Sequence, residues 1–302
     1  MGFKINNTKI ENIHIKNNIW DLNKNKKYLI SPIWYPGGKF RAISILMSLI
    51  PNNIKQMLSP FCGGGSVEFA LSSFNVNVYA YDVYDRLLNF YHYLIHDNDN
   101  LIKNLYECLS YGKEDFYRLL KTPFEKNITN AAYFYYVNLC SFSGTGYSGG
   151  YSALNRKDFT KQLIDGLSIY KNINIKIQGG SFEESLIKNK NSVDFIYLDP
   201  PYWLIKKNNR LYGENGNTHK NFDHYKLKEI LDNTNIMWLM SYNNSNQIKE
   251  LYKDYQMIET GWAYSMAFSK EDLGKQKGKN QELLIFSKNY PEIHMSRKFK
   301  FI

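Results

Sequence analysis

DFIYLDPPYW, at 194–203, is the stretch around which this chain is organised. Phe195, Ile196, Tyr197 and Leu198 form a short apolar run of β-preferring side chains, read as a buried strand of a parallel sheet. Neither Pro200 nor Pro201 can donate to a ladder, so the strand must stop at Asp199. In an open α/β sheet the carboxyl ends of the strands face the ligand crevice, which puts Asp199 and Tyr202 where chemistry is done. A carboxylate, a proline-fixed carbonyl and an aromatic ring on one rigid corner suit an exocyclic amine on a flat base. Asp199 and the Pro200 carbonyl accept its protons, and the Tyr202 ring stacks on the base. Taken alone, the same residues also describe a strand-ending turn with a solvated aspartate. Their neighbours along the chain decide between the two.

Upstream, the spacing predicts a helix over 42–50, a strand over 57–61 and a tight glycine loop, Cys62-Gly63-Gly64-Gly65. A helix starts at Ser66, its expected N-cap. A second strand over 76–81 ends at Asp82, and a helix covers 84–96. Strand, glycine loop, helix, strand and acid is the order of a nucleotide-binding βαβ unit. Glycines let the backbone approach a ligand, a helix N-terminus favours an anionic group, and Asp82 is placed to take ribose hydroxyls. Plain readings compete at each point: a turn for the glycines, an N-cap for Asp82.

From 97 to 170 the β-α rhythm lapses. Helices are expected around 100–109, 113–121 and 127–140, followed by a Gly/Ser/Tyr-rich segment, SFSGTGYSGGYSALNRKDF, at 141–159. This reads as an inserted lobe. The rhythm resumes with a strand over 173–178, a helix over 182–190 and the strand of the proline motif. A helix over 222–233, a strand over 236–242, a helix over 247–255 and a strand over 282–287 follow. Residues 1–28, rich in Asn and Lys, read as a loosely attached, partly disordered extension. The expected organisation is therefore a catalytic domain from 29–96 and 171–302, interrupted by a lobe at 97–170.

The chain has 302 residues, 43% hydrophobic and 16% aromatic, enough for a sizeable core. Its formal net charge of +10 suits a polyanionic partner. Cys62, Cys108 and Cys140 are odd in number and lack zinc spacing, and the histidines form no HExxH, so neither a disulfide framework nor a metal is expected. No long apolar run suggests a signal peptide or membrane span, and a cytoplasmic setting is expected.

Three signals now stand in order: YPGGK at 35–39, PFCGGGSVEF at 60–69 and DPPY at 199–202. Together they resemble the Dam-like family of S-adenosylmethionine-dependent DNA adenine-N6 methyltransferases, over about 31–288. The resemblance implies a Rossmann-like α/β methyltransferase sheet, mostly parallel with helices on both faces, and a mainly helical target-recognition lobe. It implies S-adenosyl-L-methionine as cofactor, bordered by Tyr35, Gly37, Gly38 and Lys39, with Phe61, Gly63 and Gly65 forming its pocket. Asp82 would hold its ribose, Phe182 would pack on its adenine, and Asp199 would border it. Asp199, Pro200, Pro201 and Tyr202 would hold the target amine. Two departures stand out: Ser59 where the family loop usually begins with Asp, and Ser181-Phe182 where the family has an Asp-Phe pair. DPPY also occurs with an initial Asn in enzymes acting on cytosine N4 or glutamine amides, and Asp199 favours adenine.

Double-stranded DNA is the partner the resemblance implies, with the enzyme acting as a monomer and a cognate restriction endonuclease in the same system. In the lobe, Arg156 and Lys157 are candidates for phosphate or guanine contacts, Tyr147 and Tyr151 for stacking or a wedge. Lys206, Lys207 and Arg210, just after the catalytic motif, form a second candidate surface. The competing readings are an RNA adenine or other amine or amide N-methyltransferase, and a catalytically silent DNA-binding relative. A dehydrogenase would want GxGxxG in its first loop, and the spacing from Cys62 to Val67 does not supply it.

Overall fold

In the computed structural model, which describes residues 13–15, 28–203, 222–260 and 282–295, the strand ended by Pro200 lies at the centre of a seven-stranded sheet. In chain order the strands are β1 (Ile13–Ile15), β2 (Gln56–Ser59), β3 (Asn77–Asp82), β4 (Ile175–Gly179), β5 (Phe195–Leu198), β6 (Met237–Asn243), β7 (Gln256–Thr260), β8 (Glu282–Phe286) and β9 (Ile293–Met295). The sheet order is β4-β3-β2-β5-β6-β8-β7. Its first five strands pair in parallel, and β8 inserts antiparallel to both β6 and β7. The chain steps outward from β2 to β3 and β4, then crosses back to β5 and β6. That reversal opens a crevice beyond the carboxyl ends of β2 and β5, where open sheets of this kind bind ligands.

Alternation along the strands sends side chains to two apolar cores. Met57, Val78, Phe195, Tyr197 and Leu239 face one, while Leu58, Ile196, Leu198, Trp238 and Met240 face the other. Both faces of the central strands are thus buried, which is why β5 reads as an uninterrupted apolar run. The second face is covered by α9 (Phe182–Asn189), α10 (His224–Asp232) and α11 (Asn246–Leu251), through Leu186, Leu227, Leu231 and Ile248. The first is covered by α1 (Ile43–Leu49), α2 (Ser66–Ser72) and α3 (Asp85–His96).

Between α3 and β4 lie α4 (Asn98–Glu107), α5 (Lys113–Leu120), α6 (Ile128–Cys140), α7 (Ala153–Arg156) and α8 (Lys161–Asp165). The only β pairing there among the described residues is a bridge between Ser141 and Tyr151. Helix α6 is buried nearly all round, its Tyr135 ring stacked on Phe90 of α3 at 5.2 Å. Leu101, Phe116, Ala131 and Phe159 from this segment belong to the same apolar cluster as the first face of the sheet.

The structure differs from the sequence expectations at four points. Ile13–Ile15 pairs antiparallel with Ile293–Met295, so part of the 1–28 extension is a strand. Gln56–Ser59 is extended by no fifth residue, and Gly65 rather than Ser66 is the N-cap of α2, because Gly65 holds the left-handed conformation (φ 70°) that turns the loop into the helix. The edge strand β7 was not expected at all.

Candidate active site

The crevice holds a cavity of about 290 Å³, near the lower end of the roughly 300–1,000 Å³ usual for small-molecule sites. Tyr35, Gly37, Gly38, Lys39, Phe61, Gly63, Gly65, Asp82, Phe182 and Asp199 all line it, as do Pro200 and Pro201. Residues spread from 35 to 201 are gathered because Phe61, Gly63, Gly65, Asp82, Phe182 and Asp199 lie at or just past the carboxyl ends of β2, β3, β4 and β5, while the loop ahead of α1 lays Tyr35 on the glycine loop and Lys39 on Asp199.

The glycine loop is shaped by what leans on it. A Cβ on Gly65 would lie 2.7 Å from the Phe69 ring, which leaves hydrogen as the tolerable substituent. Asp82 fastens the loop to β3: its carboxylate accepts from the backbone N–H of Gly63 (2.8 Å), Val83 (2.8 Å) and Tyr84 (3.0 Å). Those three bonds leave about one of the roughly four acceptor positions of a carboxylate for a ligand hydroxyl. Burial pushes the Asp82 carboxyl above its ordinary value, and the three N–H groups oppose that rise. From α3, the Tyr91 hydroxyl donates to the Gly63 carbonyl at 2.8 Å.

An aromatic wall closes one side. Phe61, Phe182 and Phe222 lie in mutual contact, with ring centroids 5.1–5.8 Å apart. The sequence pointed to the first two; Phe222, just ahead of the Asp223 N-cap of α10, is an addition. Ser181, in the place of the family's Asp, accepts from the Glu184 N–H at 3.2 Å, while Glu184 accepts from the Ser181 N–H at 3.1 Å. Its hydroxyl oxygen is therefore occupied as a helix cap.

Asp199 sits at the other wall in a charged network. The buried Lys39 ammonium donates to both Asp199 oxygens at 2.6 Å and to the Gly37 carbonyl at 2.9 Å. Its nitrogen is also 3.2 Å from the Tyr202 hydroxyl and 3.4 Å from Glu282 Oε1. Ser241 Oγ donates to Asp199 Oδ1 at 3.1 Å. Burial raises the Asp199 carboxyl, with the Lys39 ammonium and the Ser241 hydroxyl pulling against it. Tyr202 donates its hydroxyl proton to the buried Glu282 carboxylate, which fixes the ring; among the described residues nothing donates to the Pro200 carbonyl.

The motif's backbone is pinned from β6. Asn243 Oδ1 accepts from the Trp203 N–H and Asn243 Nδ2 donates to the Trp203 carbonyl, both at 3.1 Å. Tyr242 donates to the Pro201 carbonyl at 3.3 Å and meets His224 Nδ1. Burial lowers the His224 imidazole to about 4. Ser241, Asn243 and Glu282 were not singled out from sequence.

The lobe candidates are distributed differently. Arg156 turns inward: Nε donates to the Tyr111 carbonyl (2.8 Å), Nη1 to that of Phe159 (3.2 Å) and Nη2 to that of Leu109 (2.5 Å). Its guanidinium is spent on holding backbone, which leaves the exposed Lys157 beside it as the outward cation of the two. Tyr147 is half-buried, stacked 6.5 Å from Phe134 and under the Arg86 guanidinium, and Tyr151 packs edge-on against Phe116. Phe142 and Leu154, 69% and 73% exposed, are the most exposed of the large apolar side chains the lobe presents, ahead of Ile169 and Tyr117. Lys206, Lys207 and Arg210 lie outside the described residues.

The lobe touches Trp34, the residue just ahead of the cavity-lining Tyr35. Asn138 of α6 donates to the Trp34 carbonyl at 2.8 Å, and the Trp34 N–H donates back to Asn138 Oδ1 at 3.3 Å. Gly144, at φ 68°, comes so near that a Cβ would meet that of Trp34 at 2.5 Å. Among the described residues no group of three or more His, Cys, Asp or Glu side chains could hold a metal ion, and no helix is long and apolar enough to cross a membrane.

A mostly parallel sheet with a glycine loop, a strand-end acid and a carboxylate-aromatic corner at its switch point defines an α/β enzyme with a nucleotide-type cofactor site. The chain belongs to the D12 class of N6 adenine-specific DNA methyltransferases, whose family model matches residues 35–266. Membership implies DNA as substrate and S-adenosylmethionine as methyl donor. The chain is 27% identical over 258 residues to the type II methyltransferase M1.LlaDCHI of Lactococcus lactis subsp. cremoris, covering 78% of this chain and 89% of that protein. It is 26% identical over 259 residues to modification methylase StsI of Streptococcus sanguinis, covering 80% of this chain but 38% of the relative. With the type II methyltransferase M.MjaIII of Methanocaldococcus jannaschii it shares 29% over 202 residues, 57% and 69% of the two chains. A solved SAM-dependent methyltransferase from Neisseria gonorrhoeae aligns at a TM-score of 0.27 and 14% identity, over 78% of this chain and 62% of that one, too slight a likeness to bear on the assignment.

Proposed function

We propose that this chain is a site-specific DNA methyltransferase that methylates N6 of an adenine extruded from duplex DNA, with Asp199, Pro200 and Tyr202 holding the base. The supporting observation is the acceptor pair at the motif. Lys39 and Ser241 occupy about three of the four acceptor positions of Asp199, leaving one on Oδ2, and the Pro200 carbonyl accepts from nothing among the described residues. Two acceptors suit the two protons of an exocyclic amine.

The cavity residues fit the cofactor: three phenylalanines for an adenine face, a spare Asp82 acceptor for a ribose hydroxyl, and carboxylates for a cation. When bound, S-adenosylmethionine supplies an electrophilic methyl group on a sulfonium. Asp199 and the Pro200 carbonyl draw on both N6 protons, which turns the nitrogen lone pair out of conjugation and offsets the positive charge that develops on it. One N6 proton is surplus after transfer, and the Asp199 carboxyl, raised by burial, is suited to hold it. Extrusion costs about a few kcal/mol, and stacking on the fixed Tyr202 ring returns about 1–3 kcal/mol.

The lobe at 97–170 is assigned to DNA contact, with Lys157 and the exposed Phe142 and Leu154 as its outward groups, and Lys206, Lys207 and Arg210 as a second surface. A monomer acting on DNA, paired with a restriction endonuclease of the same specificity, accords with relatives named type II methyltransferase and modification methylase.

The test is tritiated-methyl transfer to duplex and mismatched oligonucleotides. Asp199→Ala is expected to abolish transfer while retaining cofactor binding. Tyr202→Ala is expected to keep residual activity that an already unpaired adenine partly restores. Full activity of Asp199→Ala, or a methyl recovered on cytosine, would refute the assignment.

A further inference from the structure

Glu68 lines the same cavity and takes no part in holding the target amine. Its side chain is buried in the first turn of α2, and Oε1 accepts from Ser59 Oγ at 2.5 Å. Ser59 is the last residue of β2, directly beside the glycine loop. Here the serine brings no charge, and the carboxylate at that corner comes from α2 instead. No cation pairs with Glu68 among the described residues; the Lys39 ammonium is paired with Asp199 and Glu282.

The titratable groups facing Glu68 are Asp199 and Tyr197 from β5, Cys62 from the glycine loop and Tyr91 from α3, with Asp82 beyond Cys62. None of them is basic. A buried carboxylate among neutral and anionic neighbours is costly to charge, and one on a cavity wall is relieved by a cationic ligand. S-adenosylmethionine carries two cationic centres, and of these the α-ammonium alone has N–H groups to donate.

We propose that Glu68 accepts a hydrogen bond from the α-ammonium of S-adenosylmethionine and gives up a proton when the cofactor binds at neutral pH. This rests on the assignment of the cavity to that cofactor. Burial and the Asp199 charge push the Glu68 carboxyl up to about 7, with the Ser59 hydroxyl and the Val67 and Glu68 N–H groups opposing. In the free protein near pH 7 the side chain is therefore about half protonated, and binding of the ammonium must expel about half a proton. Below about pH 7 affinity falls by up to about tenfold per pH unit, and above it the dependence levels off.

The experiment is titration calorimetry of the full chain with S-adenosylmethionine at pH 7, in phosphate and in Tris, which differ in ionisation enthalpy. Wild type is expected to release about half a proton per cofactor bound. E68Q, whose amide oxygen can still accept from Ser59, is expected to release none and to bind about ten- to hundred-fold more weakly, the loss of one charge-assisted hydrogen bond. Its thermal midpoint reports on folding, and the wild-type proton count stands without any variant. S-adenosylhomocysteine keeps the ammonium and lacks the sulfonium, so it is expected to show the same dependence on Glu68. Equal proton release and affinity in E68Q, or a dependence confined to the sulfonium ligand, would overturn the inference. Failure of wild type to bind either ligand would instead overturn the cavity assignment, and the role of Glu68 with it.

Discussion

Replacing Lys39 by methionine tests whether one buried cation holds the catalytic corner together. The ammonium is 3% exposed and shared between Asp199 and Glu282, with the Gly37 carbonyl and the Tyr202 hydroxyl also within reach. Methionine keeps the unbranched side chain to within one atom of its length and removes the charge, which strands two carboxylates. Removing one member of a buried pair costs roughly 3–5 kcal/mol, whereas neutralising both members costs far less. At roughly 2 °C per kcal/mol, the low end for a long chain, Lys39→Met is expected to lower the melting temperature by about 6–10 °C. Lys39→Met/Asp199→Asn is expected to fall short of the sum of the single losses by at least about 1 kcal/mol. Without Lys39 the Asp199 carboxyl rises further above its unfolded value. A carboxyl raised in this way favours the folded state at low pH and loses that advantage as pH rises, so the deficit of Lys39→Met is expected to be larger at pH 8 than at pH 5. Urea and thermal denaturation of wild type, both single variants and the double variant at those two pH values measure all of this. Additivity within about 0.5 kcal/mol, or a wild-type midpoint for Lys39→Met, would show that the pair does not organise the corner.

Two further outcomes follow from the site's walls and from the lobe. Phe222→Ala removes one ring of the aromatic wall and is expected to weaken cofactor binding by about 1–3 kcal/mol in calorimetry; unchanged affinity would detach Phe222 from the cofactor site. Arg156→Ala frees three backbone carbonyls and is expected to lower the stability of the chain by about 1–3 kcal/mol, whereas Lys157→Ala is expected to reduce the salt dependence of DNA binding with no loss of stability. A change of sequence preference in Arg156→Ala at unaltered stability would return that residue to base contact.

How much of this could be read in the sequence depended on the range of the forces involved. The parallel strands and the crevice followed from local signals, because apolar runs ended by Pro200, Gly63 or Asp82 carry their own punctuation. Glu282, Ser241 and Asn243 carry no such mark. Ser241 and Asn243 reach the motif because β6 pairs with β5, and Glu282 because β8 inserts beside β6, pairings between segments some forty residues apart that no local pattern announces. Strand β7 was missed for a similar reason: Met257 and Ile258 are adjacent apolar residues in a short edge segment, and Gln256 and Glu259 around them dilute the β signal. Arg156 shows the limit from another side. A cation in a Gly/Ser-rich loop reads as a surface contact, and only the backbone carbonyls of Leu109, Tyr111 and Phe159, brought round it by folding, turn it inward.

The loop from Trp34 to Lys39 joins parts of the molecule that the sequence treats as separate. Trp34 is gripped by Asn138 from the lobe, Tyr35 lies against the glycine loop, and Lys39 orients Asp199. Six consecutive residues therefore touch the lobe, the glycine loop that lines the cavity and the Asp199 carboxylate. A Cβ at Gly144 would press on Trp34, and the turn closed by the Gly38 N–H donating to the Tyr35 carbonyl at 2.9 Å leaves little slack to absorb the shift before Lys39. The glycine at 144 thus bears on the position of Lys39 and Asp199 through packing alone, because close-packed interiors transmit a displacement rather than absorb it.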